Sequence, residues 1–129
     1  MKRAAVKPAK WAIDKLQKQD IKFMNNHFVI VNKPAGMISQ SDHSKDNTIV
    51  SLVSRHLKEH AQKEGNVYVG LPHRLDEAAS GVICLTRTSK AAARMTALFK
   101  ERKVEKEYVV VVHGYVVIIL ISSRFLSFY

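Results

Sequence analysis

The sequence predicts one α+β domain with a mixed sheet, because short apolar runs of strand type alternate with two segments of helical periodicity. The chain has 129 residues, which allows one domain at most. Its composition, 47% hydrophobic and 25% charged, is that of a globular protein and excludes a disordered or collagen-like chain. A domain of this size can bury a hydrophobic core, with little to spare if part of the fold is missing.

A basic arm opens the chain. Residues 1–22 carry seven Lys and Arg side chains against Asp14 and Asp20, and Pro8 breaks any early helix. Residues 1–20 are therefore expected to form a flexible arm. Three roles are possible for this arm: it contacts phosphates, it is a weak organellar presequence, or it has no function.

The first strand and the first helix come next. The β-branched and aromatic run Phe28–Val31 predicts a strand, closed by turn chemistry at residues 32–36. After a polar loop over residues 39–47, a helix is predicted, with its cap among residues 46–48 and its stop at Gly65. Its apolar residues recur at helical spacing: Ile49, Val50, Leu52, Val53, Leu57 and Ala61.

The second half of the chain repeats this alternation. A short extended piece is predicted over residues 67–71, and a buried strand over Val82–Leu85. Thr88 or Ser89 can cap a second helix, and a long strand, Val104–His113, is predicted to follow it. The apolar face of that helix is Ala91, Ala92, Met95, Leu98 and Phe99.

The net charge favours a polyanionic partner. Twenty-one Lys and Arg residues oppose 11 Asp and Glu, giving a formal charge of +10 and an isoelectric point near 9.9. Residues 87–106 alone hold seven of the basic side chains, enough for a surface that follows phosphates. Nucleic acid is the partner this favours, and a protein that is merely basic is the alternative.

Cysteine usage and hydropathy predict an intracellular protein. The single cysteine, Cys84, excludes an intrachain disulfide and is expected to be a buried core thiol. No secretory signal is recognisable, and the apolar stretch Tyr115–Ile121 is far shorter than the about 18–20 residues of a membrane span. The expected location is cytoplasmic, with the mitochondrion as the alternative, and neither a membrane nor an obligate protein partner is implied.

The segment His73–Gly81 carries the chemistry. It places Asp76 in a glycine-terminated turn, two residues from Arg74 and directly before an apolar strand. A carboxylate in that position can serve as a nucleophile or a general base if water is excluded around it. The alternative is an aspartate that satisfies turn amides or pairs with an arginine.

Other patterns are weaker. His56 and His60 lie four residues apart on the first predicted helix, but no third ligand is apparent, and no metal site is predicted. Ser80, His73 and Asp76 contain the letters of a catalytic triad without its Gly-x-Ser-x-Gly turn. A solvated helix face and a simple turn explain these residues better.

The ordered motifs of the chain resemble those of the RluA-type pseudouridine synthases from about Ile21 to Gly114. Five segments carry the likeness: His73-Arg74-Leu75-Asp76 with Ser80-Gly81-Val82-Ile83; Phe28–Met37 with its Lys33-Pro34-Ala35-Gly36 turn; Thr48-Ile49-Val50; Arg87–Lys100; and Val104–Gly114 with Glu105-Lys106-Glu107-Tyr108. The resemblance implies a mainly antiparallel mixed sheet with flanking helices. It also implies isomerisation of uridine to pseudouridine in structured rRNA or tRNA, without a metal or an organic cofactor.

The resemblance also assigns roles to individual residues. Asp76 matches the catalytic aspartate, which reacts with the target uridine so that the glycosidic bond breaks and the base is rejoined through carbon. Tyr108 matches a tyrosine that packs on the flipped target base. Arg74 matches an arginine that contacts RNA beside the aspartate, and His73 is placed with these two among the substrate-binding residues.

Two departures from the family pattern affect the expected activity. Ala79 replaces the threonine usual before Ser-Gly, and the likeness stops near Gly114. A later Gly-Arg-Thr-His-Gln-type segment, which supplies a second arginine to the aspartate, has no counterpart in residues 115–129. We therefore expect a partial catalytic domain over residues 21–114 and an exposed Asp76. The alternative function is an impaired RNA-binding fragment or truncated isoform.

Overall fold

The computed structural model describes residues 16–41, 47–62, 65–111 and 113–114. Their elements confirm the α+β class: three strands form one sheet, and two helices pack with it. The strands are β1 (Ile21–Met24), β2 (Phe28–Lys33) and β3 (Gly81–Thr86); the helices are α1 (Ile49–Ala61) and α2 (Ser89–Lys100), and a 3-10 turn (Lys18–Asp20) precedes β1.

The register of the sheet decides which loops meet. The strand order is β1-β2-β3, and both pairs are antiparallel. The β2–β3 ladder runs without interruption from Phe28 opposite Thr86 to Lys33 opposite Gly81. Because β2 ends where β3 begins, the turn after Lys33 lies beside the segment that leads into Gly81.

The core lies on one face of the sheet. Burial alternates along β2, so that Val29, Val31 and Lys33 are inside, as the two-residue period of a strand requires. The same period buries Ile83 and leaves Val82 63% exposed, so β3 is buried on one face only, not on both as predicted. The core residues are Leu16, Val29, Val31, Met37, Ile49, Leu52, Val53, Leu57, Ile83 and Leu85.

Helix α1 begins where the sequence predicts it and ends three residues before Gly65, the predicted stop. Thr48 is its N-cap: the Thr48 hydroxyl accepts a hydrogen bond from the Ser51 amide at 3.0 Å, and the Ser51 hydroxyl accepts one from the Thr48 amide at 2.9 Å. The helix ends at Gln62, which takes a left-handed conformation with φ of 48°. Its apolar residues Ile49, Leu52, Val53 and Leu57 are buried in the core.

Helix α2 also forms as predicted, but its apolar face is less covered than expected. The hydroxyl of the N-cap, Thr88, accepts a hydrogen bond from the Ala91 amide at 3.2 Å. Ala91 is the buried residue of this helix, whereas Leu98 is 40% exposed. Among the described residues, the other elements therefore cover only part of the predicted apolar face of α2.

The strand predicted over residues 104–113 is wrong for its described part. Residues 104–111 form no strand, and the side chains of Val109 and Val111 are 100% and 97% exposed. High β-propensity produces a strand only when a neighbouring strand accepts and donates the backbone hydrogen bonds. Among the described residues, this segment has no such neighbour.

Two predicted regions lie mainly outside the described residues. Of the basic arm only residues 16–20 are described, and Leu16 is buried against the core. Residues 115–129 are not described at all. Within the described ranges, no helix is long and apolar enough to cross a bilayer.

The outer edge of β3 carries the segment that leads to Asp76. The extended piece predicted over residues 67–71 makes one bridge to β3, with Gly70 and Thr86 exchanging hydrogen bonds of 2.8 and 2.9 Å. A Cβ on residue 70 would meet the Thr86 hydroxyl, the Tyr68 hydroxyl and the Ala92 methyl group. Only glycine therefore allows this approach.

We expect Gly70→Ala to lower the free energy of unfolding by about 1–3 kcal/mol, because the new methyl group overpacks the contact with Thr86. Chemical denaturation of single and double variants measures it. In the Gly70→Ala, Thr86→Ala double variant, the loss should be smaller than the sum of the two single losses. Strict additivity would show that the clash does not involve Thr86.

Candidate functional site

The segment that holds Asp76 is a tight turn docked on the turn after β2. The Asp76 carbonyl accepts a hydrogen bond from the Ala79 amide at 3.1 Å, which closes the turn. The next carbonyl, that of Glu77, accepts from the Gly36 amide at 2.7 Å. Gly36 has φ of 82°, a conformation that favours glycine, so its amide reaches the neighbouring turn at little steric cost.

A buried lysine, Lys33, joins the Asp76 turn to the turn after β2. The Lys33 side chain is 0% exposed, and its ammonium donates to the carbonyls of Met37 at 2.7 Å, Pro34 at 3.1 Å and Glu77 at 3.4 Å. A lysine ammonium has three donors, and each one has an acceptor here. Lys33 thus satisfies carbonyls of both turns at once.

The charge of Lys33 acts on the candidate carboxylate. Burial lowers the pKa of Lys33 from its usual 10.5, while the negative charges of Glu77 and Asp76 oppose that decrease. The two carboxylates therefore lie within electrostatic reach of the ammonium. Lys33 therefore places a positive charge in the same part of the fold as the candidate carboxylate.

A second pair of contacts orients the residues just before Asp76. The buried Ser39 hydroxyl donates to the Leu75 carbonyl at 2.6 Å and accepts from the Leu75 amide at 3.3 Å. The exposed Arg74 guanidinium donates to the Gln40 side-chain oxygen at 3.2 Å. Leu75 is fixed through its backbone, and its two neighbours, Arg74 and Asp76, both reach solvent.

His73 is half-buried between β3 and α2. Its Nε2 atom accepts a hydrogen bond from the Cys84 amide at 2.9 Å. Its ring stacks on Phe99, with centroids 4.4 Å apart and planes at 22°. Burial lowers the pKa of His73, and the nearby charge of Lys106 lowers it further.

The structure brings together some of the predicted site residues but not all. His73, Arg74 and Asp76 lie in one segment beside β3, and Asp76 is exposed, as predicted. Tyr108 is 63% exposed and, within the described residues, makes no hydrogen bond or ring contact. Lys106, two residues before Tyr108, lies within electrostatic reach of His73, whose pKa its charge lowers.

The basic residues near the site are not equivalent. Arg87 is partly buried, and its guanidinium donates to the Asn25 carbonyl at 2.5 Å, so it holds the β1–β2 turn. Lys103 pairs with Glu101 at 2.6 Å, but both side chains are largely exposed and the pair contributes little to stability. Lys90, Arg94 and Lys100 are exposed along α2.

Sequence reasoning missed the residues that support the turn, Lys33, Ser39 and Gln40. A signal for Lys33 was present, since it has the same parity in β2 as Val29 and Val31 and must face the core. The contacts of Ser39 and Gln40 span 36 and 34 residues. No local pattern marks contacts of that length.

Cys84 and the possible metal ligands are the remaining residues that the sequence singles out. Cys84 is half-buried, not fully buried as predicted, because it lies on the face of β3 opposite Ile83 and Leu85, and burial raises its pKa. In the part of the chain that the structure describes, no cluster of three or more His, Cys, Asp or Glu side chains could hold a metal ion.

Comparison with known proteins identifies the family. A family model described as RNA pseudouridylate synthase matches residues 27–125, more than half of the chain. The chain therefore belongs to the RNA pseudouridylate synthase family, of the RluA type. The match extends past Gly114 into residues 115–129, and the domain boundary placed there stays a prediction.

Two curated relatives that this chain resembles are longer than it. It is 34% identical over 98 residues to tRNA pseudouridine synthase C of Haemophilus ducreyi, covering 75% of this chain and 38% of that protein. It is 33% identical over 95 residues to the dual-specificity RNA pseudouridine synthase RluA of Escherichia coli, covering 74% and 40%. The chain thus spans less than half the length of these relatives.

A solved structure supports the fold. Human RNA pseudouridylate synthase domain containing 4 superposes with a TM-score of 0.56 at 24% identity, over 66% of this chain and 31% of that one. At this identity the likeness concerns the fold alone. The roles of Asp76, Arg74, Tyr108 and His73 stay predictions.

We expect Lys33→Met to lower the free energy of unfolding by about 1–3 kcal/mol, since it leaves buried carbonyls without a donor. Lys22→Met is the matched control, because the exposed Lys22 ammonium also donates to a carbonyl, that of Gln19, at 2.8 Å. The control should change stability by no more than about 0.5 kcal/mol. Equal effects in urea denaturation would refute a special role for Lys33.

Proposed function

We propose that this chain acts as an RNA pseudouridine synthase, converting uridine to pseudouridine in structured RNA. The observation that carries the proposal is the placement of Asp76 in a chain of this family. Its carboxylate lies at the solvent-exposed rim of a turn, and hydrogen bonds from Lys33, Gly36 and Ser39 hold that turn and the residue before Asp76 in place. A substrate as large as a folded RNA can reach a group only at such a rim.

Asp76 is the proposed reacting group. In the isomerisation, the bond between C1′ and N1 of the uridine breaks, the base turns, and a bond from C1′ to C5 forms. The proton on C5 is lost and N1 gains one, so the reaction needs no net oxidant or reductant. The ionised Asp76 carboxylate serves either as nucleophile at C1′ or as base.

Arg74 and Tyr108 are the proposed RNA contacts. The target base must leave its stack, and an aromatic face is the surface on which a flipped base packs. Tyr108 is exposed at 63%, so its ring is available for that contact. The Arg74 guanidinium is exposed two residues before Asp76, where it can bind phosphate or fill the vacated base position.

The basic face of α2 is the proposed phosphate surface. Lys90, Arg94 and Lys100 are exposed, and helix α2 contacts the site through Phe99. The names of the relatives specify tRNA for one protein and the ribosomal large subunit for another. For this chain we propose a tRNA or rRNA substrate and a cytoplasmic location, with the mitochondrion as the alternative.

A second candidate is an RNA-binding protein without the chemistry. The exposure of Asp76 favours it, because a hydrated carboxylate keeps its water shell and is a poor nucleophile. This candidate retains the basic surface and predicts binding without turnover. The two candidates therefore differ only in the fate of the uridine.

We expect Asp76→Asn to abolish pseudouridine formation in tRNA or rRNA, with a loss of at least about 10³-fold, because Asn keeps the shape but not the charge. The matched control is Glu77→Gln, which neutralises the neighbouring exposed carboxylate and should retain most of the activity. Mass spectrometry after chemical labelling of pseudouridine measures both. Turnover that is equal in wild type and Asp76→Asn, or absent in both, would exclude the enzyme.

RNA binding should depend steeply on salt. If α2 contacts phosphates, the logarithm of the association constant falls by about 0.7–0.9 for each phosphate neutralised, per tenfold rise in salt. Lys90→Ala should weaken target and non-target RNA alike and reduce this slope, whereas Arg74→Ala should reduce the discrimination between them. Filter binding at several salt concentrations tests this, and a salt-independent affinity would contradict the electrostatic surface.

A further inference from the structure

The outer edge of β3 holds the segment before Asp76 at two points. Gly70 exchanges two backbone hydrogen bonds with Thr86, and two residues earlier along β3 the Cys84 amide donates to His73 Nε2 at 2.9 Å. An imidazole here replaces the backbone carbonyl that a further strand would supply. The side chain of His73 is thus the second anchor, three residues before Asp76.

The geometry fixes the protonation state of His73. A nitrogen that accepts a hydrogen bond carries no proton, so Nε2 is bare and the neutral ring has its proton on Nδ1. Stacking on Phe99 at 4.4 Å holds the ring plane and adds a contact to α2. Protonation would place a second donor against the Cys84 amide, and the hydrogen bond would be lost.

We propose that His73 is a positioning residue, which holds the Asp76 turn against β3 only as the neutral Nδ1–H imidazole. The proposal deepens the proposed function, since it rests on Asp76 as the reacting group. It assigns His73 to the support of the site in place of direct contact with RNA. We call the hydrogen bond from the Cys84 amide to His73 Nε2 the latch: it joins the edge of β3 to the segment before Asp76, and protonation of His73 breaks it.

The surroundings of His73 support this assignment. Phe99, the ring that α2 places against it, is neutral, and Cys84, the titratable neighbour on β3, has a pKa raised by burial. Lys106 is the charged group that acts on the imidazole from the segment after α2. Burial first, and then Lys106, lower the pKa of His73 below its usual 6.5.

The sign of the pH dependence follows. Well above pH 6.5 the imidazole is neutral in both the folded and the unfolded chain, so the latch is fully present. As the pH falls below that value, the unfolded chain gains the proton first, and stability declines until the folded-state pKa is passed. The latch is therefore lost on the acid side.

Nuclear magnetic resonance of the full chain tests the tautomer. At pH 7.5 we expect long-range ¹H–¹⁵N correlations of His73 to show a protonated Nδ1 and a bare Nε2, with a titration midpoint below 6.5. A protonated Nε2, or a midpoint at or above 6.5, would overturn the proposal. This measurement needs no RNA, so its failure is distinct from a failure of the proposed function.

Hydrogen exchange tests whether the latch reaches the Asp76 turn. Below the His73 midpoint, the protection of both the Cys84 and the Ala79 amides should fall about tenfold per pH unit, after correction for intrinsic rates. In His73→Gln, whose amide oxygen still accepts but does not titrate, both protections should stay constant between pH 7 and 5. His27→Gln, at an exposed histidine, should behave as wild type.

His73→Phe separates positioning from packing. Phe retains the stack on Phe99 but has no acceptor, so protection at Cys84 and Ala79 should be low and independent of pH. If the Cys84 amide alone responds, or if His73→Gln keeps the pH dependence of wild type, the proposal is wrong. Should a variant unfold, its far-ultraviolet circular dichroism would reveal it, and the wild-type and His73→Gln profiles decide the outcome.

Discussion

The site depends on the hydrogen bonds that the buried Lys33 ammonium donates to backbone carbonyls. Lys33 lies at the end of β2, fully buried, and donates to carbonyls of the turn that follows it and to the Glu77 carbonyl, 44 residues further along the chain. Burying a charge is costly unless polar groups surround it, and three carbonyls provide that environment here. The fold therefore holds the Asp76 turn and the turn after β2 as one unit, and the Lys33 ammonium lies within electrostatic reach of the candidate carboxylate.

The uninterrupted β2–β3 register makes this arrangement possible. Lys33 pairs with Gly81, so the end of one strand and the start of the next bring their flanking turns together. Along the other side of β3, Gly70 and His73 occupy the edge with a backbone bridge and a side-chain acceptor. The Asp76 segment is consequently held from both sides while its carboxylate faces solvent.

Exposure of Asp76 and Tyr108 relates the structure to its proposed substrate. Both side chains reach solvent, and helix α2 carries exposed basic residues, which suits a large polyanion and not a small enclosed ligand. The cost of that openness is hydration of the carboxylate. RNA itself would have to displace this water, so substrate binding and the reactivity of Asp76 are coupled in the proposed function.

The sequence by itself determined both helices, strands β2 and β3, and the family, because capping residues, hydrophobic periodicity and motifs can be recognised in the sequence alone. Strand β1 was not predicted. Thr48 and Thr88 cap the helices where their chemistry predicts, and the Asp76 motif is contiguous. The sequence failed at residues 104–111, since β-propensity cannot supply a partner strand. Only the tertiary structure decided that Lys33 and Ser39 support the Asp76 turn and that His73 faces β3, because these contacts join segments distant in the chain.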